Sequence, residues 1–239
     1  MLAFLIAFYR RPDVTAVTMR HYRRMADQDK SLVLVAVGSE GIVSRRLAEG
    51  HGWEYVEAPN SPLSNKLAAG VNHVRKLDPD EGLIAMGDDD LVTKPWITQC
   101  RHAPTMMGLR DMYRVELNTW EGLHWRGYRG RREGESVGAH RYFPHMVLKE
   151  LRWQLWPRGL ESNLDGNLYR RLGITNPAKS NRVRVLSMKE AGCAAVGLSS
   201  STNLTPWRLV VPGSTAMTPE QILAEFPPET RADVLALRR

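Results

Sequence analysis

The 239 residues, 43% of them hydrophobic, are enough for one substantial core. The two cysteines, Cys100 and Cys193, are far apart and lack metal-ligand spacing, which excludes a disulfide framework and makes a reducing cytoplasm the expected compartment. No apolar run approaches the roughly 20 residues that a membrane-spanning helix needs. The net charge of +7 is concentrated between Arg101 and Arg158, where eleven Lys/Arg stand against six Asp/Glu. Such a segment either meets a polyanion, such as nucleic acid, phosphate or anionic lipid, or forms a solvated face.

Met1 to Phe8 is nearly all apolar and reads as a strand buried on both faces. A strand is expected there rather than a targeting segment, because no basic residue precedes the run and its arginines follow it. It ends in Tyr9-Arg10-Arg11-Pro12, and Asp13 can cap a helix to about Asp27 with Val14, Val17, Tyr22 and Met25 on one side. Ser31 to Val37 is a second buried strand, stopping at Gly38-Ser39-Glu40. A helix over Ile42 to Glu49 and a strand over Trp53 to Glu57 follow, then Ala58-Pro59-Asn60. The order β-α-β-α-β predicts a parallel sheet with right-handed crossovers.

Ser61-Pro62 supplies an N-cap and a first helical proline, and Leu63, Leu67, Val71 and Val74 recur at helical spacing up to Leu77. Gly70 inside that helix costs about 1 kcal/mol relative to alanine, which points to close approach of the sheet or of a ligand. Ser64, Asn65 and Lys66 in its first turns suit either a phosphate or ordinary capping.

Leu83 to Val92 is the stretch that organises the chain. An apolar run too short for a helix climbs into Asp88-Asp89-Asp90, as a buried strand does when it opens into a polar site. Strand alternation puts Asp88 and Asp90 on one side and Asp89 on the other. Paired carboxylates stay ionised at neutral pH most readily on a cation, and hard oxygen ligands suit Mg²⁺ or Mn²⁺. An acidic turn or helix cap is the plainer reading. The preceding strand favours a site, because ligands of open α/β sheets gather at the strands' carboxyl ends.

Beyond Lys94 the spacing predicts a helix from Pro95 to about Arg101 and a strand over Met112 to Asn118. Trp120 to Gly138 mixes aromatics, arginines and glycines and is expected to be a mobile surface loop. Ala139 to Leu148 reads as a strand or strand-helix junction. Leu160, Leu164, Leu168 and Leu172 then form a helical stripe ended by Gly173, with Glu161, Asp165 and Tyr169 on the adjacent row. Arg182 to Lys189 suggests a late strand and Gly197 to Thr205 a polar loop. Thr218-Pro219-Glu220-Gln221 is a capping box, and Pro227-Pro228 introduces a last helix to Leu237.

The strand-Tyr-Arg-Arg-Pro opening, the second strand ending in Gly-Ser-Glu, Ala-Pro-Asn before a helix with Asn-Lys-x-x-x-Gly, Met-Gly-Asp-Asp-Asp and a late Glu-x-x-x-Asp together resemble GT-A fold glycosyltransferases. The resemblance covers Met1 to Val92 and Leu160 to Gly173. It implies an α/β fold with a mostly parallel Rossmann-like sheet flanked by helices and a smaller acceptor-side region. Residues 1–212 would form one domain, with a nucleotide-sugar half over 1–94, an acceptor half over 95–212, and a helical tail over 213–239. It further implies that Tyr9, Pro12 and Glu40 line the base and ribose pocket and that Asn60 and Lys66 approach the nucleotide. Asp88 would touch ribose or metal, and Asp90 would hold Mn²⁺ or Mg²⁺ on the diphosphate of a nucleoside-diphosphate sugar, with UDP favoured. By the same resemblance Asp165, or else Glu161, takes the acceptor's proton. Glu40 departs from the usual aspartate, and no histidine follows Met146, so water, His140 or His145 would complete a metal site.

A single base suits direct displacement with inversion, with retention as the alternative outcome. Trp120, Trp125 and Tyr128 interleaved with Arg129, Arg131 and Arg132 suit a nucleic-acid acceptor, with rings to stack a base and arginines to meet phosphates; a hydroxymethylated DNA base, as modified by some phage enzymes, is the first candidate. A cell-envelope glycan or lipid-linked acceptor is the second. Two other classes compete. A nucleotidyltransferase would carry a glycine-rich loop after its first strand, where this chain has Tyr-Arg-Arg-Pro. A nucleic-acid-binding module would have no use for Asp88, Asp90 and Asp165 together.

Overall fold

The computed structural model describes residues 1–200 and 207–238. Leu2–Ala7 (β1), Leu32–Gly38 (β2), Glu54–Glu57 (β3) and Gly82–Gly87 (β4) are parallel neighbours, joined by Pro12–Gln28 (α1), Ile42–Gly50 (α2) and Leu63–Leu77 (α3). Asp90–Val92 (β5), Lys94–Arg101 (α4), Met106–Leu109 (β6), Met112–Glu116 (β7), Glu121–Trp125 (β8), Arg141–Pro144 (β9) and His145–Glu150 (α5) follow. The chain continues through Leu164–Arg171 (α6), Val183–Leu186 (β10), Met188–Ala191 (α7), Ala195–Ser199 (β11), Trp207–Val210 (α8), Thr215–Met217 (β12), Pro219–Leu223 (α9) and Pro228–Leu235 (α10).

The larger sheet has the order β10-β6-β9-β4-β1-β2-β3, with only β9 antiparallel to its neighbours. Strand alternation on β1 divides the core. Phe4 and Ile6 pack with Met19, Tyr22 and Trp53 on one face, and Ala3 and Leu5 with Val71 and Val74 on the other. Both faces are covered, which is why the strands read as unbroken apolar runs. Gly70 answers to the sheet, since a Cβ there would stand 2.5 Å from both Leu5 Cδ1 and Val37 Cγ2. The smaller sheet, β12-β8-β7-β11-β5, lies over α1 through Val14, Val17, Leu91, Val115 and Val196.

Several expectations change. The stretch from Trp120 to Gly138 is not all loop: Glu121–Trp125 is a strand paired along its length with β7, an order that the partner strand supplies and the local sequence, with Gly122 and His124 in it, does not announce. Gly197 to Ser199 belongs to β11, and the loop expected over residues 201–205 lies outside the described residues. The stripe from Leu160 becomes helical only at Leu164, because Asn163 takes a left-handed φ of 55°. Residues 213–239 include β12, paired with β8, besides two helices. The capping box forms at Thr218 and Gln221. Asp233 of α10 holds Arg20 at 3.0 Å and Arg24 at 2.8 Å on α1. Among the described residues no helix is long and apolar enough to cross a membrane.

Candidate active site

The carboxyl ends of β1, β2, β3 and β4 share one edge of the sheet. At that edge β4 does not run on through its three aspartates; it turns at Asp88-Asp89 and resumes as β5, antiparallel to β11. Alternation therefore does not govern the three side chains. Asp88 and Asp89 both meet Arg11, from Nη2 to Asp88 Oδ1 and from Nη1 to Asp89 Oδ2 at 3.1 Å. Asp88 Oδ2 also accepts from Thr15 Oγ1 at 2.8 Å. Asp90 folds back, its Oδ2 accepting the Gly87 amide at 2.8 Å. A Cβ on Gly87 would lie 2.6 Å from that oxygen, so a larger residue before the turn would push the Asp90 carboxylate aside.

Burial pushes the Asp88 carboxyl up against the opposing pull of Arg11, and burial with the nearby Asp89 charge pushes Asp90 up. Burial thus disfavours the charged form of both, and a bound cation would favour it. Among the described residues no three His, Cys, Asp or Glu side chains converge on one ion position. His140 is fully buried against the Asp90 backbone with neither ring nitrogen in a well-formed hydrogen bond, and burial pushes it down to about 3, leaving a neutral imidazole. His145 bonds the Pro79 carbonyl at 2.9 Å, at the opposite end of β4. Two or three carboxylate donors without a protein cage fit Mg²⁺ or Mn²⁺, which take their remaining ligands from water and substrate phosphates.

Lys66 joins three strand ends. Its buried ammonium donates to the Phe8 carbonyl at 2.6 Å, Ser39 Oγ at 3.2 Å and Asn60 Oδ1 at 3.0 Å, so the tips after β1, β2 and β3 converge on one charge. Burial lowers its pKa from 10.5 to about 8. Tyr9 lies beside it, 5.7 Å from Nζ to the ring centroid, and the exposed Glu40 carboxylate accepts the Arg10 amide at 3.1 Å. Pro12 opens α1 at the same rim. Tyr9, Pro12, Glu40, Asn60 and Lys66 thus stand together.

The start of α3 is otherwise closed. The Ser64 amide goes to the Leu160 carbonyl at 2.9 Å, Asn65 Oδ1 accepts from Gly159 at 3.1 Å, and Glu161 accepts from Ser61 and, at 3.2 Å, from the Leu63 amide. The cap is Glu161, 98 residues away from the amide it receives; Ser61 does not cap. Of the three helix-start residues, Lys66 alone turns to the strand ends.

Asp165, in the first turn of α6, is held on both oxygens. Oδ1 meets Arg141, while Oδ2 accepts from Arg132 at 2.8 Å and Tyr128 at 3.1 Å. Arg141 is buried and also donates to Ser136 Oγ and Ser136 O, each at 2.8 Å. It pairs with Ala85 on β4, in the strand that leads into the acid turn. Burial would raise the Asp165 carboxyl, but the two guanidiniums outweigh it and hold it at about 2.

The aromatic and basic residues separate into groups. Tyr128 and Arg132 join Asp165, with Arg132 stacked 3.4 Å over the Tyr128 ring, and Trp125 meets Tyr128 edge to face at 5.2 Å. Trp120 sits beyond the other end of β8, its indole N–H bonded to Glu220 at 2.8 Å, and serves the C-terminal helices. Arg129 donates to the Gly213 carbonyl at 3.0 Å, and Arg131 is exposed. Sequence reasoning passed over Arg11, Thr15, Arg114 and Arg141. Arg114 lies in β7, donates to Ser199 at 2.9 Å and pulls on the Asp90 carboxyl. A lone arginine in an otherwise apolar strand, as in Met-Tyr-Arg-Val or Arg-Tyr-Phe-Pro, was the available signal of a buried ion pair.

No protein-family model and no curated protein matches the sequence. Solved structures match over most of the chain. The 1–349 fragment of S. aureus TarS superposes with a TM-score of 0.55 at 14% identity, over 82% of this chain and 60% of that one. The same fragment in complex with UDP-GlcNAc gives 0.53 at 14% identity, over 84% and 59%. GalNAc-T7 with UDP, GalNAc and Mn²⁺ gives 0.54 at 9% identity, over 87% and 45%. The chain has the GT-A fold of nucleotide-sugar glycosyltransferases. At such identities the fold is what is shared, and this GT-A chain spans about 60% of the TarS fragment's length.

Proposed function

We propose that the chain moves a sugar from a UDP-sugar to an acceptor hydroxyl, with inversion. The observation that carries this reading is the buried acid turn at the carboxyl end of β4, on the sheet edge where Lys66 gathers the tips after β1, β2 and β3. Tyr9, Glu40 and Asn60 would line the nucleotide, with Lys66 fixing the tips that form its pocket. Asp88 and Asp90 would hold Mn²⁺ or Mg²⁺, which when bound offsets the charge that develops on the departing diphosphate.

The acceptor oxygen attacks the anomeric carbon as the bond from that carbon to the diphosphate oxygen breaks, and the acceptor's proton passes to Asp165 Oδ2. In the substrate-free state that oxygen is occupied by Arg132 and Tyr128 and is too weak a base at about 2. The acceptor must therefore take the place of the segment that carries them, leaving Oδ1 on Arg141 to keep the carboxylate aimed. Exposed Arg126, Arg129 and Arg131 on that segment support a polyanionic acceptor, first a hydroxylated base in DNA.

Thermal denaturation in the presence of nucleotides and nucleotide sugars, with and without Mn²⁺, tests the donor. A ligand at 100 times its Kd adds about 2.7 kcal/mol, which in a chain of this size raises Tm by about 5–10 °C. UDP-sugars with Mn²⁺ should do so, and no response to any nucleotide would remove the reading. For the acceptor, duplex affinity should fall steeply between about 50 and 200 mM salt and weaken when Arg129, Arg131 and Arg132 are neutralised. Transfer to a glycan with no DNA binding at low salt would refute the DNA assignment and leave the transferase reading.

A further inference from the structure

We propose that Arg11 is the resident counter-cation of the acid turn, a positioning residue that a divalent ion must displace, so that the ion enters with the nucleotide diphosphate and not alone. The inference rests on the transferase reading above and concerns the order in which that site fills. Arg11 is largely buried, its side chain 14% exposed, and its guanidinium spans Asp88 Oδ1 and Asp89 Oδ2. Those oxygens belong to the turn that would receive the ion. A guanidinium and a divalent ion on the same carboxylate are like charges at close range, so one excludes the other.

The backbone presents Arg11 for this task. Arg10 takes a left-handed φ of 54°, uncommon for a residue with a side chain, and is held there by its amide on Glu40 and its guanidinium 4.7 Å from the Tyr9 ring centroid. The kink sends Arg10 to the rim and Arg11 inward. Arg11 also lines a cavity of about 480 Å³ with Leu117, Asn118, Ser200 and Leu237, so a displaced guanidinium has room beside the turn. An incoming diphosphate brings negative charge to offset the crowding of cations. Ion and nucleotide should therefore bind with positive coupling, each tightening the other by the same factor.

The test is a titration of Mn²⁺, followed by the electron paramagnetic resonance of the free ion, without nucleotide and then with UDP. Arg11→Gln should bind Mn²⁺ alone at least about tenfold more tightly than the wild type, and UDP should tighten Mn²⁺ less in the variant. Equal or weaker Mn²⁺ binding by a folded Arg11→Gln overturns the inference. Should that variant not fold, Arg11→Lys decides: a single ammonium cannot span both carboxylates, so its Mn²⁺ affinity should still exceed the wild type's, and equality overturns the proposal. Failure of the wild type and the variants alike to bind either Mn²⁺ or UDP would instead remove the transferase reading and this inference with it.

Discussion

Replacing Asp165 by asparagine keeps the shape of the side chain and removes the charge on which Arg141 rests. The Arg141 side chain is 3% exposed, and the change would leave its guanidinium with neutral oxygens alone, those of Ser136 and of the new amide. The carboxyl's fall from 3.8 to about 2 corresponds to about 2.5 kcal/mol of attraction between the ionised group and its partners. Loss of one member of a buried pair commonly costs about 3–5 kcal/mol, and the 22% exposure of Asp165 places this site at the lower end. At about 2–4 °C per kcal/mol, Asp165→Asn should melt about 5–10 °C below the wild type at neutral pH. Because the folded carboxyl titrates below its unfolded value, its contribution is complete above the unfolded pKa and is lost as pH falls toward about 2. The gap between the two proteins should therefore narrow from about pH 4 downward. Circular dichroism melts at pH 7.5, 5 and 3 measure it. A gap below about 2 °C at pH 7.5, or one that is unchanged at pH 3, would show that Asp165 does not hold Arg141 as described. Turnover should fall by about 10² to 10⁴-fold while UDP-sugar binding persists; a folded variant with full turnover would leave Asp165 a purely structural role.

Arg132→Gln removes one of the two cations holding Asp165 low in the free enzyme, so the acidic limb of the kcat/KM profile, which reports the free enzyme, should move to higher pH; an unmoved limb would detach Arg132 from the base. Lys66→Met should weaken UDP binding at least about tenfold, because the strand tips lose their common donor. Wild-type stability should also rise with pH between about 8 and 10.5, where the unfolded chain holds the proton that the folded Lys66 has lost, and in Lys66→Met that rise should be absent. Glu161→Gln disturbs only the cap of α3 and should cost about 1 kcal/mol in denaturant unfolding, with turnover nearly kept; a crippled Glu161→Gln beside an active Asp165→Asn would move the base to Glu161. Asp90→Ala should abolish turnover in a folded protein, and full activity in excess EDTA would remove the metal assignment.

The strands and helices of the first half, the parallel order and the acid run at a strand end were legible in the sequence because each rests on local periodicity. Apolar stretches of four to eight residues alternating with amphipathic helices have few other ways to bury themselves. The GT-A layout followed from the order of those pieces. What only the tertiary structure decided were partnerships between residues far apart. β8 is a strand because β7 lies beside it, and β11 because β5 and β7 do. The acid run leaves strand geometry at Asp88 and Asp89, which Arg11 gathers, and the Gly87 amide holds Asp90 as β5 begins. Asp165 is a weak base at rest because Arg141 and Arg132 reach it across 24 and 33 residues. Glu161 caps a helix whose first amide lies 98 residues earlier. Charge and hydrogen bonding act through space, and a linear sequence carries carboxylates and guanidiniums without saying which will meet, whereas helical and strand periods are written in neighbouring residues.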